Sequence, residues 1–385
     1  MPALRVLICP DKFKGTLSAR EAAQAIARGW RRGRPRDRLD LLPMTDGGDG
    51  FGEVVSGLLG ARPRRTMSFD AARRPCSVTW WWEPRTRTAV IESANVIGLA
   101  MLPPGKFHPF ALDTWGVGGV LAAAAAAGAK RCLVGIGGSA TNDGGFGLAR
   151  ALGWQFLDHH GQPIKQWTGL NELAHIRPPR RRRWFDDLAV AVDVQNRLLG
   201  PRGASRVYGP QKGLRREDFA QAERCLGRLA RIVSEQVAPG LARTPGAGAA
   251  GGLGFGLLAF LGARLEPGFE LFARLANLDD HLQHRDLVLT GEGRLDASSL
   301  MGKGVGGLAR RCEQRRIPCV GLAGQVCAQA QISRAFSQVR ALTELAALQE
   351  AMACPARWLE RSAECVAREL SAMLRQWRHS SQAAT

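Results

Sequence analysis

The sequence predicts an α/β fold with parallel strands, on three observations. Short apolar runs alternate with amphipathic segments along most of the chain. Several of those runs end in polar, glycine-rich loops that lead into a helix, as strands of open parallel sheets do. At 385 residues with 45% hydrophobic side chains, the chain exceeds one typical domain, so two domains are expected.

Taken in order, residues 5–9 read as a buried strand, followed by a loop over 10–17. Ser18 and Glu21 then stand at capping-box spacing and open a helix with Ala22, Ile26, Ala27 and Trp30 on its apolar face. Residues 39–44 form the next strand, which ends in the acidic glycine loop 45–50 before a helix over 51–59. From about 62 to 95 the texture turns β-rich. Residues 76–83 and 88–93 pair as antiparallel strands, with Trp80 and Trp82 on one face as packing residues and Trp81 on the other. An Ala/Gly helix over 114–127 leads into a strand at 131–136, and Pro178, Pro179 and four arginines mark an exposed connection. Later strands fall at 188–192, 287–290 and 318–322, and the tail over 342–377 is helical. No internal repeat is visible.

Composition removes several function classes. The nine cysteines are odd in number and lack Cys-x-x-Cys spacing, so neither a disulfide framework nor a zinc ribbon is indicated; reduced thiols in a cytoplasm fit. The apolar run near the N-terminus is too short for a signal segment, and the uncharged stretch 246–263 is too rich in glycine and alanine to span a membrane. The net charge of +19 comes almost wholly from arginine: 46 of the 53 basic residues. Clusters at 31–38, 62–65 and 180–183 raise the alternative of a nucleic-acid-binding protein, but no helix-turn-helix, zinc-finger or RNP signature accompanies them. Solvated surface cations are the expectation, with no nucleic-acid partner.

Because lysine is so rare here, its placement carries information. Lys12, Lys14, Lys212 and Lys303 all stand in glycine-bearing loops, where a compact ammonium suits a phosphate oxygen. Six loops combine glycine with carboxylates, amides or hydroxyls. The loop 137–145 follows a strand, and its Gly137 and Gly138 permit inward-turned amides while Ser139, Thr141 and Asn142 add donors. It lacks the Gly-Lys-Ser/Thr of a P-loop. Asp193 ends another strand, and Glu292 and Asp296 stand in the loop that closes the strand after 287. Phosphoryl transfer calls for this inventory: amides and lysines around phosphates, aspartate for Mg²⁺, and a carboxylate to take a hydroxyl proton. The Gly-x-Gly-x-x-Gly at 246–251 is a decoy for a nicotinamide site, since Thr244 and Pro245 precede it where a strand is needed; a close-packed Gly/Ala helix is expected there.

In their order, the stretches 10–15, 43–50, 135–145, 193–200, 209–213, 246–252 and 291–296, with Gly302 and Lys303, resemble the bacterial glycerate kinase family of the glycerate 2-kinase type. Two positions depart from its pattern: Lys12 stands where serine is common, and Arg197 follows Asn196 where proline is usual. The resemblance implies a discontinuous Rossmann-like domain of residues 1–64 plus 286–385, with an inserted α/β domain of 65–285 and an active site in the cleft. It implies transfer from ATP, with Mg²⁺, to the 2-hydroxyl of D-glycerate, 3-phosphoglycerate being the alternative product. From residue chemistry and placement, Lys12, Lys14 and the loop 137–142 are expected to hold glycerate, and Asp46 and Asp49, or Asp296, to hold Mg²⁺. Asp193 is the general base, and Lys212 and Lys303 meet phosphates. The oligomeric state is left open.

Overall fold

The structure, a computed structural model, describes residues 2–300, 304–327 and 329–382. Among them run thirteen strands: β1 (Arg5–Ile8), β2 (Arg38–Leu41), β3 (Arg62–Phe69), β4 (Pro75–Glu83), β5 (Thr88–Glu92), β6 (Arg131–Gly135) and β7 (Gln155–Leu157), then β8 (His175–Arg177), β9 (Asp187–Val192), β10 (Arg264–Pro267), β11 (Leu287–Leu295), β12 (Cys319–Val326) and β13 (Gln338–Ala341). The chain divides into two compact units: Met1–Asp46 with Phe269–Thr385, and Gly47–Gly268. A discontinuous unit with an insertion is therefore present, but its crossings fall earlier than residues 64 and 285. The helix Phe51–Leu59 explains the first shift. Its Phe51 and Gly52 pack so closely on Gly135 and Trp81 that a Cβ on either glycine would overlap the ring.

The first unit is built on a fully parallel sheet ordered β13-β12-β11-β1-β2. Counted within the unit this is order 2-1-3-4-5, a doubly wound arrangement whose switch point lies between β1 and β11. Val6, Leu7 and Ile8 are all fully buried, as a parallel sheet covered on both faces demands. The helix Ala19–Gly33 starts at the expected box: Glu21 N–H donates to Ser18 Oγ at 3.2 Å, and Ser18 N–H donates to Glu21 Oε2 at 2.8 Å. Its apolar face, Trp30 included, is buried against the helix Pro355–Gln382. Gly29 and Gly33 allow that approach; an added Cβ at Gly33 would lie 2.7 Å from the Ala367 Cβ. The C-terminal tail is helical but broken, with a 3-10 turn at Leu342–Glu344 and a short helix at Leu348–Ala353 before the long one. The strand expected at 39–44 stops at Leu41, although Leu42 and Met44 still donate to the carbonyls of Ile8 and Pro10.

The second unit has a six-stranded mixed sheet ordered β10-β9-β6-β5-β4-β3, parallel from β5 to β10 and antiparallel through β4 and β3. Trp80 and Trp82 point into its core as packing residues. Arg62, Arg64 and Arg65, with Pro63, line the outer strand β3 and are exposed, a charged edge that discourages strand addition. Elsewhere Arg32 pairs with Glu360 and Arg34 with Asp37, so these cluster members have structural partners. Among the described residues one stretch, Pro109–Ala126, has the length and mean hydropathy (1.2) of a membrane crossing; half of it is buried.

The helix expected at the decoy glycines is only partly formed. Ala250, Gly251 and Gly252 have φ of 55°, 69° and 86°, left-handed values, and regular helix begins after them in Ala249–Leu261. The reason is backbone packing on the loop 137–145. Added Cβ atoms would lie 2.8 Å from the Gly144 Cα at Gly252 and 2.6 Å from the Gly145 Cα at Gly256. These glycines receive a neighbouring chain segment, not a dinucleotide.

Candidate active site

Register alone assembles a charged cluster in the first unit. Ile8 of β1 is level with Leu289 of β11 and Leu41 of β2, so three residues further on Asp11 comes level with Glu292. The Asp11 amide donates to the Gly291 carbonyl at 2.8 Å, which fixes that level. From the loop after β2, Asp46 lies 3.8 Å from the Lys12 ammonium. All of these groups sit at the carboxyl ends of strands around the switch point, where open α/β sheets bind ligands.

The cluster holds more carboxyl groups than cationic ones. Burial pushes the Asp11 carboxyl up to about 8, helped by Asp46 and Glu292 and opposed by Lys12. Burial likewise raises Glu292 to about 7, with Asp46 and Asp296 adding to the rise and a Ser299 hydrogen bond opposing it. Carboxylates so crowded favour either a proton or a cation. Asp296 stands apart in character. Its Oδ1 accepts from Ser298 N–H at 2.8 Å and Oγ–H at 2.6 Å, Arg294 lies at 3.5 Å, and its carboxyl is lowered, first by the Ser298 hydroxyl. It closes a turn. Lys14 is exposed on the loop after β1, and Lys303 lies outside the described residues.

The second unit builds a different cluster. Strands β6 and β9 are neighbours, with Gly135 level with Ala191, so the loop 137–145 and Asp193 emerge side by side. The 47–50 loop joins them: an added Cβ at Gly47 would lie 2.9 Å from the Ala191 Cβ, and Asp49 sits against Gly138. The helix N-terminus after that loop is capped by protein. Glu92 accepts from the Gly50 and Gly52 amides at 2.8 and 2.9 Å.

The loop 137–145 is less open than its glycines suggest. Gly138 is exposed, but Ser139, Thr141 and Asn142 are buried, and Asn142 Nδ2 donates to Ser205 Oγ at 3.0 Å. Lys212 reaches into this loop; its Nζ donates to Ser139 Oγ at 2.9 Å and to the Thr141 carbonyl at 2.7 Å. Burial lowers this amine to about 7. Asp193 is half-buried near Tyr208, the single tyrosine, whose hydroxyl is pushed up to about 12 by burial and then by the Asp193 charge. Tyr208 OH donates to Asn196 Oδ1 at 2.6 Å, and Asn196 Nδ2 donates to the Arg202 carbonyl at 2.7 Å. These bonds secure the loop that carries Arg197.

Asp11, Asp143 and the Tyr208–Asn196 pair were not singled out by residue chemistry. Asp11 could have been found from its place one loop step beyond a buried strand; Asp143 reads as a turn filler, with no local signal. For Mg²⁺, no group of three or more His, Cys, Asp or Glu among the described residues forms a cage. Mg²⁺ commonly takes one or two carboxylates together with water and phosphate oxygens, and the crowded oxygen donors of Asp46 and Glu292 fit it.

A family model described as the glycerate kinase family matches residues 6–371. A glycerate kinase of Halalkalibacterium halodurans is 37% identical over 373 residues, covering 94% of this chain and 97% of that one. A glycerate 2-kinase of Escherichia coli is 36% identical, covering 84% and 86%. A crystal structure described as a candidate glycerate kinase 2 from Salmonella typhimurium LT2 superposes with a TM-score of 0.83 at 33% identity, covering 97% of this chain and all of that one. Strand order, switch-point carboxylates and these likenesses agree: the chain belongs to the glycerate kinase family of phosphotransferases.

Proposed function

We propose that the chain transfers the γ-phosphoryl group of ATP to the 2-hydroxyl of D-glycerate, giving 2-phosphoglycerate and ADP. The observation that carries this reading is the excess of carboxyl groups at the switch point: buried Asp11 with half-buried Asp46 and Glu292 around one ammonium, Lys12. Such a cluster suits a nucleotide bound with its divalent cation. Asp46 and Glu292 would hold Mg²⁺, with Asp49 and Asp296 as the further carboxylates of their loops. When bound, the ion neutralises charge on the phosphate oxygens. Lys12 and Lys14 would hold anionic oxygens beside it, and Lys303 a phosphate.

The acceptor half-site is the loop 137–142 with Asp193. The 2-hydroxyl oxygen attacks the γ-phosphorus in line, the bond to the β–γ bridging oxygen breaks, and Asp193 takes the hydroxyl proton. Tyr208 and Asn196 keep the Asp193 loop in place through the bonds described above. A cytoplasmic ATP pool is the compartment we propose, in keeping with nine free cysteines.

ADP release coupled to NADH oxidation tests the reading and should depend on D-glycerate. Direct coupling to enolase identifies the 2-phosphate; ADP release without it would mean the 3-phosphate. No D-glycerate-dependent ADP release would defeat the proposal.

A further inference from the structure

Of the lysines the structure describes, only Lys212 is buried, at 6% exposure, and both its partners are neutral. An ammonium has three donors, and a buried cation calls for a counter-charge. The charged group that bears on it is Asp143, whose carboxylate is already engaged. It accepts from the Thr114 amide and hydroxyl at 2.9 and 2.8 Å and from the Gly145 and Gly147 amides at 3.2 and 2.9 Å. Asp113 in turn bears on Asp143 with like charge. A second observation comes from the same loop. Thr141 Oγ1 and Asn142 Oδ1 are buried without a hydrogen-bond partner, in residues with no measurable exposure. Orphaned buried polar atoms are rare and call for a missing partner. Gly138, exposed, is the open edge of this loop.

We propose that Lys212 is the specificity-determining residue of the acceptor half-site: it binds the carboxylate of the hydroxy acid, while Thr141 and Asn142 accept from the acid's hydroxyls. The contacts to Ser139 and Thr141 are its resting position. The consequence is selection of 2-hydroxycarboxylates over neutral polyols of the same size. This inference rests on the kinase reading. Because burial holds the Lys212 amine near 7, an arriving carboxylate restores the ammonium, and binding above that pH draws in a proton.

Lys212→Met tests it, with steady-state kinetics on D-glycerate and glycerol. The variant should raise KM for D-glycerate by on the order of 10²-fold, leave KM for ATP within a few fold, and lower the preference for D-glycerate over glycerol. Calorimetry at pH about 8 in two buffers of different ionisation heat should show proton uptake on D-glycerate binding by wild type and none by the variant. Should Lys212→Met not fold, Asn142→Asp replaces it, and its added carboxylate should raise KM for D-glycerate alone. An unchanged KM, or an equal rise for ATP and D-glycerate, overturns the inference while leaving the kinase reading intact. A wild type without D-glycerate-dependent ADP release overturns both.

Discussion

The two units place loops at the same kind of position, the carboxyl ends of parallel strands, yet bury opposite charges there. In the first, Asp11 and Glu292 are pushed up to about 8 and 7. In the second, Lys212 is pushed down to about 7 among hydroxyl and carbonyl oxygens. Burial acts first in all three and penalises whichever form is charged. One end is thus short of positive charge and the other of negative charge. A reaction that brings a cation-bound nucleotide together with a carboxylic acid supplies both.

The largest expected effect breaks or keeps the acidic half of this contrast. Asp46→Asn and Glu292→Gln should each lower kcat by on the order of 10³-fold, with melting temperatures unchanged or raised because like charges are removed. Turnover within tenfold of wild type would mean the carboxylates are not part of the chemistry. Next, Asp193→Asn should cut kcat by on the order of 10²-fold with the fold intact, as judged by circular dichroism. A third variant, Gly251→Ala, probes the packing beneath the neutral half. Its Cβ would run into the Thr141 carbonyl at a left-handed φ of 69°, so urea denaturation should show a loss of about 2 kcal/mol or more.

A fourth test reads the buried amine through stability. Lys212 in the folded chain titrates near 7 against an ordinary 10.5, so between those values the unfolded chain holds more protons. Stability lost to this residue at low pH is recovered as pH rises from about 7 towards 10.5. The unfolding free energy of Lys212→Met relative to wild type should therefore fall steadily between pH about 6.5 and about 9.5. A constant difference would mean the amine is not held neutral. The smallest effect, and the control, is Ser18→Ala: loss of the capping box should cost about 1 kcal/mol while leaving kcat and both KM values alone.

What the sequence made legible follows from how local the physics is. Residues 5–9 and 131–136 announced themselves by apolar content, and Ser18 with Glu21 by spacing, because caps and buried strands are decided within a few residues. The left-handed run at Ala250 to Gly252 is not legible in the sequence, since contact with the distant residues Thr141, Asn142 and Gly144 explains it. The level of Asp11 with Glu292 depends on a strand pairing between remote segments, which no local pattern encodes. Lys212 stands out in the sequence as one of few lysines, but its inward turn towards Ser139 is a tertiary fact. The boundary after Asp46 escaped notice because a glycine loop, not a change of composition, marks it.

The pairing of β1 with β11 also has a consequence for synthesis. Thr290 Oγ1 donates to the Cys9 carbonyl across a separation of 281 residues. On the ribosome the first strand must therefore wait for its partner while the whole inserted unit emerges, on the order of 15 s or more at ordinary elongation rates. During that interval a largely apolar strand edge stands open to chaperones or to a neighbouring nascent chain. A circular permutant beginning at Phe269 would shorten the wait, and should refold with a higher yield at high protein concentration.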